Sequence, residues 1–306
     1  MPNAVTVIVP IYNSIQFVDE FVESLLLALR DGEHDLLIVD NGSSDGTWQR
    51  LCEQRQAEGK RFRLFSFDDI QGSYAARNRG IIEASKSEVL VFIDADCRPA
   101  TPEWLSMLTA PLRRDPRVGL VAGEIESPRC RGTWVEDFSM RSNMLSQRYT
   151  LSHGYRPYAQ TANLAVRRSV FDEVGLFREE MKSGGDADFC WRAQQAGWRL
   201  AFVREAAVVH QHRKTVKDLF AQWLRYGQGH SHLRRLYPDQ PRAHRLVARQ
   251  MERLGAEPRN WPRHFRWIDA PLIAVSGAAY LLGSMSIVRP REAIGASAIR
   301  WKVPIL

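Results

Sequence analysis

The sequence predicts an α/β fold: a mostly parallel sheet covered by helices on both faces, followed by a helical tail. Three observations predict it. Short β-branched runs alternate with stretches of helical spacing from Val5 to Ile93, polar turns fall where those runs end, and the composition becomes basic and aromatic after His212.

Val5 to Val9 is an apolar β-branched run closed by Pro10, after which Val18, Phe21, Val22, Leu25, Leu26 and Leu29 recur at helical spacing up to Gly32. Leu36 to Val39 predicts a second strand, followed by the turn-rich segment Asn41 to Thr47 and a helix carrying Trp48, Leu51 and Cys52. Phe62 to Phe67 reads as a third strand, Tyr74 to Ala84 as a helix, and Val89 to Ile93 as a fourth strand leading into Asp94-Ala95-Asp96. Strands alternating with helices pair in parallel, and ligands of such sheets gather at the carboxyl ends of the strands. Pro10 to Asn13, Asp40 to Asp45 and Asp94 to Asp96 are therefore expected to line one crevice. A further strand is predicted at Val118 to Val121, whereas the polar segment Glu124 to Gln160 shows no clear period and is assigned to acceptor binding.

At 306 residues and 44% hydrophobic, the chain can bury one large core. Cys52, Cys97, Cys130 and Cys190 are widely spaced, without a CxxC pair, which argues against a disulfide framework or structural zinc. With no charged-then-apolar leader at the N-terminus, a cytoplasmic location is expected. The net charge of +7 is uneven: residues 213–306 hold seventeen Lys/Arg against six Asp/Glu, and the preceding part holds 25 against 29. On charge alone such a tail suits an anionic lipid surface or nucleic acid.

Asp94 and Asp96 carry the strongest chemical signal. Residues two apart in an extended chain face the same side, so both carboxylates can address one hard cation and a diphosphate bridged by it. Two such acids repel unless a cation lies between them. The plainer alternative is a polar loop with solvated carboxylates.

The context decides between these. Val7-Ile8-Val9-Pro10-Ile11-Tyr12-Asn13, Val39-Asp40-Asn41-Gly42-Ser43-Ser44-Asp45-Gly46-Thr47, Ala76-Arg77-Asn78-Arg79-Gly80 and Phe92-Ile93-Asp94-Ala95-Asp96 stand in a characteristic order. Asn163-Leu164-Ala165-Val166-Arg167-Arg168, Gly185-Asp186-Ala187-Asp188, Arg192 and Val209-His210 continue it. Over roughly residues 4–212 the chain resembles family 2 glycosyltransferases with the Rossmann-like GT-A fold.

The resemblance implies a catalytic unit at 1–212, with a donor-binding half at about 1–122 and an acceptor half at 123–212, and a basic tail at 213–306. It implies a nucleotide-diphosphate sugar as donor and a divalent cation, Mn²⁺ or Mg²⁺, as cofactor. Pro10 and Tyr12 would border the nucleotide base, Asp40 would hydrogen-bond it, and Arg77 would face the donor phosphates or sugar. Asp94 would contact the ribose or sugar, and Asp96 the metal, with Asp94 and His210 completing the metal site. Asp186 would be the base that deprotonates the acceptor hydroxyl in an inverting displacement. Asn163, Asp188 and Arg192 are expected on the acceptor side, with an Asp188–Arg192 pair four residues apart on a helix as the alternative role for those two.

Two positions depart from the family pattern. Gly185 stands where a Glu usually precedes the catalytic Asp, removing a carboxylate that would help position it. Asn41 replaces a frequent second Asp, with the fold expected to persist and donor preference to shift. The first departure leaves room for a silent binding module on a transferase scaffold. A nucleotidyltransferase of similar topology is a second rival, which would release pyrophosphate.

In the tail, Gln222-Trp223-Leu224-Arg225-Tyr226 resembles the QxxRW motif of processive members with Tyr in place of Trp, and a single-sugar transferase is favoured. Val216, Leu219, Phe220, Trp223 and Leu224 form an apolar helical stripe, and Ala270 to Val288 is uncharged. That run would extend about 28 Å as a helix, with Trp261, Trp267 and Trp301 placed as interfacial aromatics. Arginines flank both ends, which argues against a simple crossing and for a helix lying on the anionic cytoplasmic face of a membrane. A buried helix packed on the catalytic unit or a second subunit is the alternative. A lipid-linked hydroxyl acceptor is one possibility, and nucleic acid is not expected as a partner.

Overall fold

The computed structural model describes residues 5–30, 34–59, 61–128, 132–142, 145–240 and 267–285. The expectations placed on Gly32, Cys130, Trp261, Trp301 and residues 286–288 lie outside them. The first half runs β1 (Val5–Ile11), α1 (Val18–Ala28), β2 (Asp35–Asp40), α2 (Thr47–Ala57), β3 (Arg63–Ser66), α3 (Ser73–Glu83) and β4 (Val89–Ile93). Then come β5 (Cys97–Pro99), α4 (Trp104–Arg114), β6 (Val118–Glu126), α5 (Trp134–Ser142), α6 (Gln147–Leu151) and β7 (Asn163–Arg167). The chain continues through α7 (Arg168–Val174), α8 (Gly185–Gln195), β8 (Arg199–His210), α9 (Val216–Leu236) and α10 (Ala270–Met285).

The strands form one sheet in the order β3-β2-β1-β4-β7-β6-β8-β5. Its central strands β1 and β4 are buried at every position because both faces are covered. Val89, Val91 and Ile93 point toward α1 and α4, whereas Leu90 and Phe92 point toward α3, α7 and α8. Pairing is parallel from β3 through β4, as the alternation predicts. The sheet then departs from that pattern: β7 runs antiparallel between β4 and β6, and β5 antiparallel to β8.

The segment from Glu124 to Gln160 supplies α5 and α6. Much of its polarity is internal: the buried Glu124 carboxylate accepts from the Ser146 hydroxyl and the Gln147 N–H, each at 3.1 Å.

In the tail, α9 and α10 pack backbone against backbone. A Cβ on Gly227 would lie 2.1 Å from the Tyr280 carbonyl, and one on Gly283 2.1 Å from that of Leu224, so only glycine permits this approach. Asp269, fully buried, pins the start of α10 to α5 by accepting from Arg141 at 2.7 and 2.8 Å and from the Trp134 indole at 3.1 Å. Leu233 and Tyr237, at the end of α9, enter the same core as Phe189 and Trp191. The end of α9 thus shares a core with the residues before 212. Among the described residues, no helix is long and apolar enough to cross a membrane.

Candidate active site

The loops after β1 and β2 lock into each other. Asn13, with a φ of 45°, accepts the Ser44 N–H at 2.8 Å, and its own N–H donates to the Ser43 hydroxyl at 2.9 Å. Asp40 is buried at the end of β2 and receives the Ser43 N–H at 3.0 Å and the Ser43 hydroxyl at 2.5 Å. Pro10 is buried within β1, and Tyr12 stands out from this loop with half its surface exposed.

Asn41 acts through its amide. It donates to the Phe67 and Ile70 carbonyls at 2.7 and 3.0 Å and accepts the Gly72 N–H at 2.8 Å. An aspartate could not make the two donations. The Asn found here therefore fixes the loop that launches α3, which gives the departure a structural role.

From α3, two consecutive residues reach in different directions. Asn78 exchanges hydrogen bonds with the Phe177 backbone at 2.9 and 3.1 Å, tying α3 to the segment ahead of α8. Arg77, almost fully buried, bonds Asp94 and lies 5.5 Å above the Tyr74 ring.

The two strand-tip carboxylates take different partners. Asp94 is held by Arg77, whereas Asp96 lies 3.4 Å from His210 Nε2 and 3.5 Å from Arg213 Nη2. His210 arrives through the antiparallel register that sets it opposite Cys97. Ligand-type atoms of Asp96, Cys97 and His210 all lie within 4.8 Å of one another, so the candidate metal set contains His210 but not Asp94. Burial, together with the carboxylates of Asp96 and Asp94, pushes the Cys97 thiol far above its ordinary range. His210 Nδ1 is buried without a hydrogen-bond partner. His212 lies beside it, its ring 6.0 Å away and its Nε2 2.7 Å from the Ser127 hydroxyl; burial and then the His210 charge push it down to about 4.

Asp186 sits in the first turn of α8, where the unpaired N–H groups of the helix gather. One carboxylate oxygen accepts the Ala187 N–H at 2.9 Å and lies 3.4 Å from the Tyr74 hydroxyl. Burial drives its pKa up to about 6, while the Ala187 hydrogen bond and the nearby Arg77 charge limit the rise. Arg77 thus bonds Asp94, and its charge also reaches Asp186.

The residues expected on the acceptor side do not face this crevice. The Asn163 amide, fully buried, donates to the Glu124 and Ala206 carbonyls at 2.8 Å each and accepts from the Trp104 indole at 3.0 Å. Asp188, also fully buried, accepts from Arg192 at 2.9 Å, Arg178 at 3.2 Å and the Tyr237 hydroxyl at 2.8 Å. Arg192 spends its other nitrogens on the Val174 and Leu176 carbonyls. These three brace the fold, and the Asp188–Arg192 pair has the spacing expected of an i,i+4 helical contact.

Sequence reasoning missed Arg213 and Tyr74. Arg213 follows His210 by three residues, a weak local signal; Tyr74 meets Asp186 across 112 residues and carries no local signal. Between α5 and α9, a shallow open cleft is lined by Phe138, Ser139, His212, Gln222, Trp223 and Tyr226. It begins at His212 and so adjoins the Asp96–His210 pair.

A family model described as Glycosyl transferase family 2 matches residues 6–175. The chain belongs to this family. Glycosyltransferase AglE of Haloferax volcanii is 33% identical over 227 residues, 74% of this chain and 72% of that protein. The pre-mycofactocin glycosyltransferase of Mycobacterium tuberculosis is 32% identical over 249 residues, 77% of this chain but 48% of that protein, so the chain spans about half of that relative. Among solved structures, the mannosyltransferase PcManGT from Pyrobaculum calidifontis, in complex with GDP-Man and Mn²⁺, superposes with a TM-score of 0.61 at 19% identity, covering 91% of this chain and 74% of that one. S. aureus TarS 1-349 in complex with UDP-GlcNAc does so with a TM-score of 0.54 at 18% identity, covering 92% and 81%. This family 2 glycosyltransferase thus shares the GT-A fold. The family match ends before α8, so Asp186, His210 and Arg213 enter the site on geometry.

Proposed function

We propose that this glycosyltransferase takes a hexosyl or deoxyhexosyl group from a nucleoside-diphosphate sugar and passes it, with inversion, to an acceptor hydroxyl. The observation that carries this reading is the Asp186 carboxylate in the first turn of α8, 3.4 Å from the Tyr74 hydroxyl and close enough to feel the charge of Arg77, which itself bonds Asp94. Held near pH 6, Asp186 is ionised at neutral pH yet basic enough to accept the acceptor's proton as the C–O bond forms. Arg77 and Asp94 orient the donor sugar, Asp40 and Pro10 shape the pocket for the base, and the exposed Tyr12 ring stacks on it.

The residues at the strand tip can hold a divalent ion. Asp96 offers an oxygen, His210 Nε2 lies 3.4 Å from it, and the Cys97 sulfur belongs to the same cluster. Mn²⁺ or Mg²⁺ held by Asp96 and His210 would neutralise the charge that grows on the departing diphosphate. Arg213 adds a second positive group on the same side.

The cleft between α5 and α9 is the natural entrance for the acceptor, and its mixture of aromatic side chains with Ser139, His212 and Gln222 suits an amphipathic, lipid-linked one. The outward face of α10 supports a setting at the anionic cytoplasmic face of a membrane. Ile273, Leu281, Leu282 and Met285 are exposed there while Ser276, Ala279 and Gly283 face inward, the reverse of a water-facing helix.

The deciding experiment incubates the protein with Mn²⁺ and a panel of UDP- and GDP-sugars. Release of a nucleoside diphosphate by wild type but not by Asp96→Ala is expected. Release of pyrophosphate would point to nucleotidyl transfer instead, and no release from any donor by wild type would leave a binding module.

A further inference from the structure

We infer that Tyr74 and Gly185 are a matched pair: the Tyr74 phenol fills the space that a side chain at position 185 would need, and its hydroxyl holds Asp186 in place. Tyr74 is then a positioning residue for the base, an inference that rests on the role proposed for Asp186.

The steric half comes from close contacts. A Cβ on Gly185 would lie 2.7 Å from Tyr74 Cε2 and 2.8 Å from Cζ, well inside van der Waals contact. Gly185 is not among the glycines with positive φ, unlike Gly184 before it at 78°, so what position 185 requires is space and not a special backbone angle. The ring cannot withdraw. Phe177 stacks on it at 5.6 Å, Phe177 is itself packed by Phe92, Phe171 and Phe189, and the Arg77 guanidinium lies over the ring. A glutamate at 185 cannot coexist with this arrangement.

The polar half replaces what the missing side chain would do. The Tyr74 oxygen accepts the Asp186 N–H at 3.3 Å, and its O–H lies 3.4 Å from the carboxylate, so one buried phenol contacts both backbone and side chain of the base. The charged and titratable groups around Asp186 are Tyr74 and Arg77 on α3, Tyr158 ahead of β7, Cys190 on α8 and Tyr226 on α9. Of these, Tyr74 hydrogen-bonds the carboxylate, favouring its ionised form.

The test uses the whole chain, Mn²⁺ and whichever UDP- or GDP-sugar gives the fastest nucleoside-diphosphate release, with Tyr74→Phe, Tyr74→Ala, Gly185→Ala, the Tyr74→Ala/Gly185→Ala double variant and Asp186→Asn. Tyr74→Phe is expected to lower kcat about tenfold, change the donor KM less than twofold, and move the acidic limb of the pH profile upward. Gly185→Ala is expected to lower Tm, and to lower it by less than half as much in the Tyr74→Ala background. An unchanged limb and kcat in Tyr74→Phe, or the same Tm loss in both backgrounds, overturns the pairing. Should Tyr74→Ala not fold, the Tyr74→Phe profile decides. A wild-type rate in Asp186→Asn would sink the base assignment separately, while the Tm comparison would still report on the steric half.

Discussion

The strand tip around Asp96 and the first turn of α8 around Asp186 both present an aspartate to one crevice, but in opposite surroundings. Asp96 is ringed by His210 and Arg213, groups that hold or tolerate negative charge. Asp186 is half-buried near Tyr74, Tyr158 and Tyr226, and desolvation draws its carboxylate toward the protonated form against the pull of the Arg77 charge. Asp188, two residues further on, is neither: two arginines and a tyrosine hydroxyl consume it. On the proposed function, the three aspartates divide into electrostatic anchor, proton acceptor and brace according to what surrounds them, and residue type alone does not assign the role.

Each assignment makes a measurable claim. Asp96→Ala should have the largest effect, lowering turnover about 10⁴-fold and abolishing Mn²⁺ binding by calorimetry, because it removes charge stabilisation of the leaving diphosphate. Mn²⁺ affinity equal to wild type would remove Asp96 from the metal site. Asp186→Asn should lower kcat about 10³-fold with the donor still bound, since a positioned base typically supplies that much.

The pH dependence of Asp186 has a definite sign. As a base it must be ionised, so wild-type kcat should fall tenfold per unit below about pH 6. Its folded-state value is raised from 3.8, so its contribution to stability is fully present below 3.8 and is lost as pH rises through about 6. Asp186→Asn should therefore be more stable than wild type at pH 8, by on the order of 2 kcal/mol, with the gain vanishing below pH 4. Thermal melts across that range check it.

Asp188→Asn should behave oppositely: a loss of about 3 kcal/mol from the broken buried ion pair, with kcat of the folded fraction near wild type. Asn41→Asp should cost about 1–3 kcal/mol, as the Phe67 and Ile70 carbonyls lose their donor, and should leave the choice between UDP- and GDP-sugars unchanged. The smallest effect belongs to the tail: Leu281→Glu with Leu282→Glu should shift Tm by less than about 1 kcal/mol equivalent, because both side chains already face outward. The same pair should move the protein from anionic vesicles to the supernatant on sedimentation. Wild type that stays in the supernatant would end the membrane reading.

The donor half was legible because its signals are local. A buried strand is an apolar run, a helix an apolar stripe, and the polar turns at the ends of β1, β2 and β4 follow each other along the chain, so the Asp94/Asp96 pair stood out by spacing, while Asp40 and Arg77 entered through the family resemblance of the motifs that hold them. Tertiary structure decided how they are used. His210 reaches Asp96 through an antiparallel pairing across more than a hundred residues, a register that no periodicity encodes. Asn163 has the residue type of an acceptor contact yet spends every polar atom inside the sheet. Whether Asp186 or Asp188 could serve as the base turned on desolvation against charge pairing. Both effects depend on atoms brought together from distant parts of the chain, and patterning reports only which face of an element is buried.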